Sequence, residues 1–153
     1  MEFMKLAVEE EKKGMECGDG GPFGAVIVKD GKVIGVGHNM VLVSKDPTAH
    51  AEVTAIRNAC KNVDNFDLSG CQLYTSCYPC PMCMGAALWS RVDAIYYGAT
   101  SEDAARIGFG DHEFHDFLKD PKTDEKRKLE QFKVENYMEP FNIWAEKADK
   151  NLY

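Results

Sequence analysis

Two short segments contain the residue types that bind a transition metal and move protons. The first is His50-Ala51-Glu52, and the second is Pro79-Cys80-Pro81-Met82-Cys83. Each lies at the predicted start of a helix. Cys80 and Cys83 are three residues apart, so their sulfurs can meet on one face of a first helical turn. The partial positive charge of a helix N-terminus favours thiolates, the form in which cysteine binds metal.

The ligand set predicted from these residues is His50, Cys80 and Cys83, provided that the two helix starts meet at one edge of a sheet. Three protein ligands with an open fourth position are typical of catalytic zinc sites, where the pKa of a bound water falls to about 7. Glu52 lies two residues after a predicted ligand. It is placed to accept the proton of that water and pass it on, as a general acid/base rather than as a ligand.

Cys77 leaves a second kind of metal site open. Cys77 and Cys80 also form a C-x-x-C pair, so Cys77 could complete a closed structural shell of three cysteines and His50, with no position for water. The chain would then be a non-catalytic zinc protein. Against this, Cys77 lies at the end of a predicted strand, before Pro79 and the helix start.

The composition is that of an acidic globular protein. The 153 residues include 18 Lys and Arg and 25 Asp and Glu, a net charge of −7. This length fits one domain, and the negative charge argues against binding to a nucleic-acid backbone. No apolar run approaches the ~18 residues that span a bilayer, and the N-terminus lacks the layout of a secretory signal. We therefore expect a cytoplasmic protein with reduced thiols, three of which fill apolar space: Cys17, Cys60 and Cys71.

The hydrophobic pattern predicts alternating helices and strands. Helices are predicted over residues 3–17, 49–62, 82–90 and 140–150, with one or two short helices over 101–120. Strands are predicted over residues 23–28, 33–36, 71–75, 92–97 and 129–136, the first two joined by a hairpin turn at Asp30-Gly31. This order predicts an α/β sandwich in which helices cover a mixed sheet.

Longer stretches around these motifs resemble the cytidine deaminase-like superfamily of zinc deaminases, whose signature is H-x-E followed by P-C-x-x-C. Within it, the chain is most similar to the small bacterial-type guanine deaminases. The resemblance covers nearly the whole chain and rests on residues 20–28, 46–57, 74–77, 79–83 and 140–153. One departure is Tyr78, where the family usually has glutamate. Tyr78 is not at a ligand position, so the predicted ligands are unaffected.

The resemblance implies a three-layer α/β/α sandwich with a mixed central sheet of about five strands, and one zinc ion per subunit. It implies hydrolytic deamination of guanine to xanthine and ammonia, with water as the second substrate. Alternatives within the superfamily are deamination of guanosine or another base or nucleoside, and deamination of an adenosine in tRNA, by the same zinc chemistry.

The resemblance also implies a pocket for a small purine base. At the matching positions, Asn39 is a polar contact to the ring, Phe23 stacks on the base, and Trp89 forms a wall of the pocket. Asp111 resembles an acidic residue that accepts hydrogen bonds from purine N–H groups. Ala51 also contacts the base.

The last residue, Tyr153, resembles a terminal tyrosine that closes the family's active site from an exchanged C-terminal segment. We therefore expect residues 1–153 to form a single deaminase domain within a homodimer, and residues from about 112 to 153 to be exchanged between subunits. His38, beside Asn39, fits a pocket residue or a hydrogen-bonded structural histidine equally well.

Overall fold

A computed structural model describes all 153 residues of the chain. The chain forms two compact units, residues 1–112 and residues 113–153, which are described separately below. The strands are β1 (Gly24–Lys29), β2 (Lys32–His38), β3 (Cys71–Cys77) and β4 (Ala94–Ala99). The α-helices are α1 (Glu2–Glu16), α2 (Val41–Ser44), α3 (Ala51–Val63), α4 (Pro81–Trp89), α5 (Ser101–Arg106), α6 (His112–Lys119) and α7 (Glu139–Glu146), and a 3₁₀ turn spans Pro121–Thr123.

The first unit contains a four-stranded sheet in the order β2-β1-β3-β4. Strand β1 is antiparallel to both β2 and β3, whereas β3 and β4 are parallel. The β1–β2 turn has positive φ angles at Asp30 and Gly31, 49° and 72°. This is the type I′ geometry that two-residue hairpins favour, and it confirms the turn predicted at Asp30-Gly31.

Helices cover both faces of this sheet because β1 carries apolar side chains on both. Ala25 and Ile27 point into a core shared with α3 and α4, and Val26 and Val28 pack against α1 on the opposite face. The alternation follows from the period of two residues in a strand. The mixed sheet between two helical layers confirms the predicted α/β sandwich.

Helix α3 lies unusually close to β2 because small residues meet at the contact. The helix presents Ala55 and Ala59, and the strand presents Gly35 and Gly37. A Cβ built on Gly37 would lie 2.5 Å from the backbone nitrogen of Ala55 and 2.6 Å from the carbonyl oxygen of Ala51. No side chain fits there without moving the helix, so glycine sets the distance between α3 and the sheet.

The second unit contains α6, the 3₁₀ turn and α7, held partly by surface ion pairs. Glu113 pairs with Lys126 at 2.9 Å and with Arg127 at 3.0 Å, and Arg127 also pairs with Asp124 at 2.6 Å. The Arg127 guanidinium also lies 5.5 Å from the centre of the Phe114 ring. Large apolar side chains of this unit remain exposed: Phe132, Phe141, Ile143 and Leu152.

The expected fifth strand over residues 129–136 is wrong. The sheet has four strands, and this segment has no regular secondary structure and is exposed throughout. Its alternating apolar residues fit a strand, but no neighbouring segment supplies the hydrogen-bonded ladder that a strand requires. The other predicted strands and helices are confirmed with boundary shifts of up to about four residues. None of the helices combines the length and apolar character needed to cross a lipid bilayer.

We expect Gly37→Ala to destabilise the protein by about 1–3 kcal/mol, because the added methyl group meets the backbone of α3 rather than a movable side chain. Thermal unfolding should show a loss of about 2–4 °C per kcal/mol for a chain of this size. Gly85→Ala is the matched control, since a Cβ at Gly85 in α4 would meet no atom within 4 Å. A Gly37→Ala protein as stable as the control would contradict the close approach.

Candidate active site

The three predicted metal ligands converge at the first turns of two helices. His50 is the N-cap residue of α3, and Cys80 is the N-cap residue of α4. Pro81 follows at the first helical position of α4, where its missing N–H costs no hydrogen bond. Cys83 lies in the same first turn and is fully buried. Because α3 and α4 pack against each other, the two N-termini lie side by side.

The spacing of the ligand atoms fits a zinc ion. The Nδ1 atom of His50 lies 3.5 Å from the sulfur of Cys80 and 3.5 Å from that of Cys83. All three ligand atoms lie within 4.8 Å of one another. Tetrahedral coordination with ordinary Zn–N and Zn–S bond lengths separates nitrogen from sulfur by about 3.6 Å. One histidine and two thiols are also the donor types that zinc prefers, and they leave a fourth position open.

The two cysteines differ in how readily they ionise. A hydrogen bond from Cys83 lowers the pKa of the Cys80 thiol well below its usual value, and the nearby imidazole of His50 lowers it further. The same pairing, together with burial, raises the pKa of Cys83. The pKa of His50 is raised mainly by its hydrogen bond to Cys80. The cluster therefore favours a thiolate at Cys80, the form in which cysteine binds a metal.

Glu52 lies in the first turn of α3 and faces the interior of the unit. Its side chain is 6% exposed, and burial raises the pKa of its carboxyl group. The hydroxyl of Thr75 in β3 lies 3.2 Å from its Oε1 atom. A buried carboxyl group beside metal ligands can hold or release a proton, which is the requirement for a general acid/base.

Thr75 is a site residue that the sequence analysis missed. Threonine is an ordinary residue in a strand, since β-branched residues are common there. Nothing in its sequence neighbourhood indicates that its hydroxyl meets a carboxylate 23 residues away. Only the packing of α3 on β3 reveals the contact.

Cys77 does not join the metal cluster. It ends β3, as predicted, and its thiol donates to the carbonyl oxygen of Thr100 at 3.5 Å. Burial raises its pKa to about 11, so it remains a neutral thiol at neutral pH. The ligand group consists of His50, Cys80 and Cys83. The geometry thus favours the open three-ligand site over a closed structural shell.

Two of the predicted substrate contacts lie on the loop between α1 and β1 and at the end of β2. Asn39 is 5% exposed, and its Oδ1 atom accepts a hydrogen bond from the backbone N–H of Val41 at 3.1 Å. Its own backbone N–H donates to the carbonyl oxygen of Phe23 at 3.0 Å. The Phe23 ring meets Phe109 edge-on, with ring centres 5.1 Å apart. Asn39 and Phe23 are therefore linked through their backbones.

The other four predicted pocket residues lie in separate parts of the chain and differ in exposure. Ala51 is buried between His50 and Glu52 in the first turn of α3. Trp89 ends α4, six residues after Cys83 and so about 9 Å further along the helix axis, and it is 68% exposed. Asp111 is half-buried directly before α6. Tyr153 belongs to the second unit and is 70% exposed.

His38 has a structural role. Its Nε2 atom lies 2.8 Å from Asp19 and its Nδ1 atom 3.2 Å from Glu10. The backbone oxygen of Asp19 accepts hydrogen bonds from Leu42 and Val43 at the start of α2. This chain of contacts connects α1, β2 and α2 around Asn39. It agrees with the hydrogen-bonded alternative for His38.

A zinc-type ligand set beside a buried carboxylate, on an α/β sandwich, defines a class of zinc-dependent deaminases. The model of the cytidine and deoxycytidylate deaminase zinc-binding region matches residues 1–99, and the chain belongs to this family. His50, Cys80 and Cys83 are positioned to bind the zinc ion of this family.

Two individual relatives and one solved structure are similar to the chain along nearly its whole length. The chain is 47% identical to a guanine deaminase of Bacillus subtilis over 151 residues, covering 99% of this chain and 97% of that protein. It is 35% identical to a tRNA-specific adenosine deaminase of Aquifex aeolicus over 98% of this chain and 96% of that protein. The X-ray structure of guanine deaminase from Bacillus subtilis superposes with a TM-score of 0.94 at 47% identity, covering 99% of this chain and 96% of that one.

We expect Cys83→Ala to abolish stoichiometric zinc binding, whereas Cys77→Ala should retain about one zinc per chain, because only Cys83 belongs to the open three-ligand site. Elemental analysis of both purified proteins would measure this. Each substitution replaces one buried cysteine by alanine, so each variant is a control for the other. Equal loss of zinc from both variants would instead indicate a closed shell of three cysteines and His50.

Proposed function

We propose that this chain catalyses the hydrolytic deamination of guanine to xanthine and ammonia. The observation that carries the proposal is the buried Glu52 carboxyl group at the start of α3, which hydrogen-bonds Cys83 of the His50, Cys80 and Cys83 cluster. The preference for guanine over other bases is supported by the 47% identity to a guanine deaminase along nearly the full length of both chains.

The proposed reaction assigns one group to every proton transfer. Zinc, when bound, supplies the Lewis acidity that brings the pKa of a water molecule to about 7. Glu52 accepts the proton of the attacking water and delivers it to the ring nitrogen next to the carbon under attack. It then takes the remaining proton from the hydroxyl group added to that carbon and passes it to the exocyclic amine, which leaves as ammonia when the C–N bond breaks and the C=O bond forms. The atoms balance as guanine plus water giving xanthine plus ammonia.

We assign the purine pocket to Asn39, Phe23, Ala51, Trp89, Asp111 and Tyr153. The Oδ1 atom of Asn39 already accepts from Val41, so Asn39 would reach the base through its Nδ2 donor group. Phe23 would offer its ring face for stacking, since its edge-on contact with Phe109 fixes the ring orientation. The buried methyl group of Ala51 would lie under the base between the ligand His50 and Glu52.

A second candidate function is deamination of an adenosine in tRNA, favoured by the 35% identity to the Aquifex aeolicus enzyme along nearly its full length. The charge of the chain weighs against it. The net charge is −7, and in the basic run 126–128 both Lys126 and Arg127 are paired with Glu113. A surface that binds an RNA backbone needs basic side chains available to phosphates.

We further propose that the enzyme is a homodimer with exchanged C-terminal segments, acting in the cytoplasm. The exposed apolar side chains of the second unit, among them Phe132, Phe141 and Leu152, support burial against a second copy. Exchange would bring Tyr153 of one chain to the pocket of the other. A reducing compartment is proposed because two of the metal ligands must remain thiols rather than form a disulfide.

We expect Glu52→Gln to lower kcat for guanine by about 10²- to 10⁴-fold, because glutamine cannot accept and return a proton. Ammonia release would be measured with guanine, guanosine, adenine, cytosine, cytidine and a tRNA anticodon stem. Glu11→Gln is the matched control, as Glu11 is also partly buried but lies in α1 and hydrogen-bonds Ser76. Near-normal turnover by zinc-loaded Glu52→Gln would refute the mechanism, and turnover of another substrate but not guanine would refute the specificity.

We expect a mixture of two inactive or weakened variants to regain activity if the C-terminal segments are exchanged. Glu52→Gln retains Tyr153, and Tyr153→Ala retains Glu52, so a mixed dimer with exchanged segments contains one intact site. Random reassociation at equal amounts should restore about a quarter of wild-type activity. Ammonia release would be measured after mild unfolding and refolding together. A mixture no more active than the separately refolded proteins would argue against exchange.

A further inference from the structure

Thr75 lies where a side chain can control the position of Glu52. It is 1% exposed, in the middle of the sheet, with Ala25 of β1 and Tyr97 of β4 as its register partners on either side. Because strands flank it on both sides, its backbone position is fixed by the sheet. Its hydroxyl therefore projects from a rigid element into the space beside α3.

The hydroxyl has two partners. Its Oγ1 atom lies 3.2 Å from Oε1 of Glu52 and 3.1 Å from the backbone carbonyl oxygen of Cys77. A hydroxyl has one proton to donate, so the two oxygens share it. The contact with Cys77 orients the hydroxyl along the end of β3, and the contact with Glu52 connects that strand end to the first turn of α3.

Glutamate has three rotatable side-chain bonds, so a buried carboxylate keeps one orientation only if packing and hydrogen bonds hold it. Thr75 engages one carboxylate oxygen of Glu52 from the sheet side. Proton transfer is sensitive to the position of the acid/base, and a misplacement of about 1 Å can lower the rate about 100-fold. An anchor on the rigid β3 strand is suited to prevent such a displacement.

We propose that Thr75 is a positioning residue for the reaction, and that its hydroxyl holds the Glu52 carboxylate in the orientation needed for proton transfer. This inference rests on the proposed role of Glu52 as the acid/base. Thr75 acts through Glu52 and touches no reacting atom. Removing the hydroxyl should therefore affect kcat and leave the KM for the substrate nearly unchanged.

The test compares Thr75→Val, which keeps the side-chain volume and loses the hydroxyl, with Thr75→Ser, which keeps the hydroxyl. We expect kcat to fall about 10- to 100-fold in Thr75→Val and to stay within about 3-fold of wild type in Thr75→Ser. KM and zinc content should stay close to wild type in both. If Thr75→Val does not fold, Thr75→Ala removes the same hydroxyl without the shape of valine.

Ser76→Ala is the matched control, because Ser76 is the next buried hydroxyl of β3 but accepts from the backbone N–H of Gly24, 3.0 Å away. We expect Ser76→Ala to alter thermal stability and not kcat. A Thr75→Val protein with wild-type kcat would overturn the proposal. So would equal losses in Thr75→Ser and Thr75→Val, since the hydroxyl would then not be the active feature.

A double-mutant cycle separates this proposal from the proposed function. If Thr75 acts through Glu52, Thr75→Val should have no further effect in a Glu52→Gln background, measured in single turnovers with enzyme in excess. The same fold loss in both backgrounds would show that Thr75 acts independently, and would refute the inference while leaving the role of Glu52 intact. Normal activity in Glu52→Gln alone would instead refute the proposed function.

Discussion

The structure depends on how closely helix α3 approaches the sheet. Gly35 and Gly37 on β2 face Ala55 and Ala59 on α3, and the Cβ that a larger residue would carry at Gly37 meets helix backbone. His50 and Glu52 occupy the first turn of this same helix. An outward shift of α3 by the width of a methyl group would therefore move a metal ligand and the proposed acid/base together. The glycine–alanine contact therefore sets the position of the helix start that carries both residues.

The close packing of α3 on the sheet buries ionisable groups, and neighbouring elements offset the electrostatic cost of that burial. It buries a carboxyl group and brings two cysteine sulfurs and an imidazole together. The N-termini of α3 and α4 both point their partial positive charge at the cluster, which favours a thiolate at Cys80. Thr75 supplies a hydrogen bond to the buried carboxyl group from the opposite side. Without these partners, burial of ionisable groups at this density would be destabilising.

The sequence predicts this centre better than it predicts its surroundings. Cysteines three residues apart at a helix start lie on the same face of the helix. Local spacing alone therefore places Cys80 and Cys83 together. Whether Trp89 lies near the ligands depends on the direction in which α4 runs from them. A sequence motif does not specify that direction. Thr75 contacts Glu52 only through packing of distant segments. Residues 129–136 alternate like a strand but find no strand to pair with, and pairing is a property of the whole fold.

The metal cluster lies entirely in the part of the chain that matches the family, whereas the proposed substrate pocket extends beyond it. The family model ends at residue 99, and all three zinc ligands and Glu52 lie within the matched residues. Of the six residues proposed for the purine pocket, only Asp111 and Tyr153 lie beyond the matched residues. The metal centre can therefore be common to enzymes that act on free bases and on tRNA. Choice of substrate must then arise from the residues around that centre and from the later part of the chain. The net charge of −7 disfavours a polyanionic RNA and is compatible with a small neutral purine.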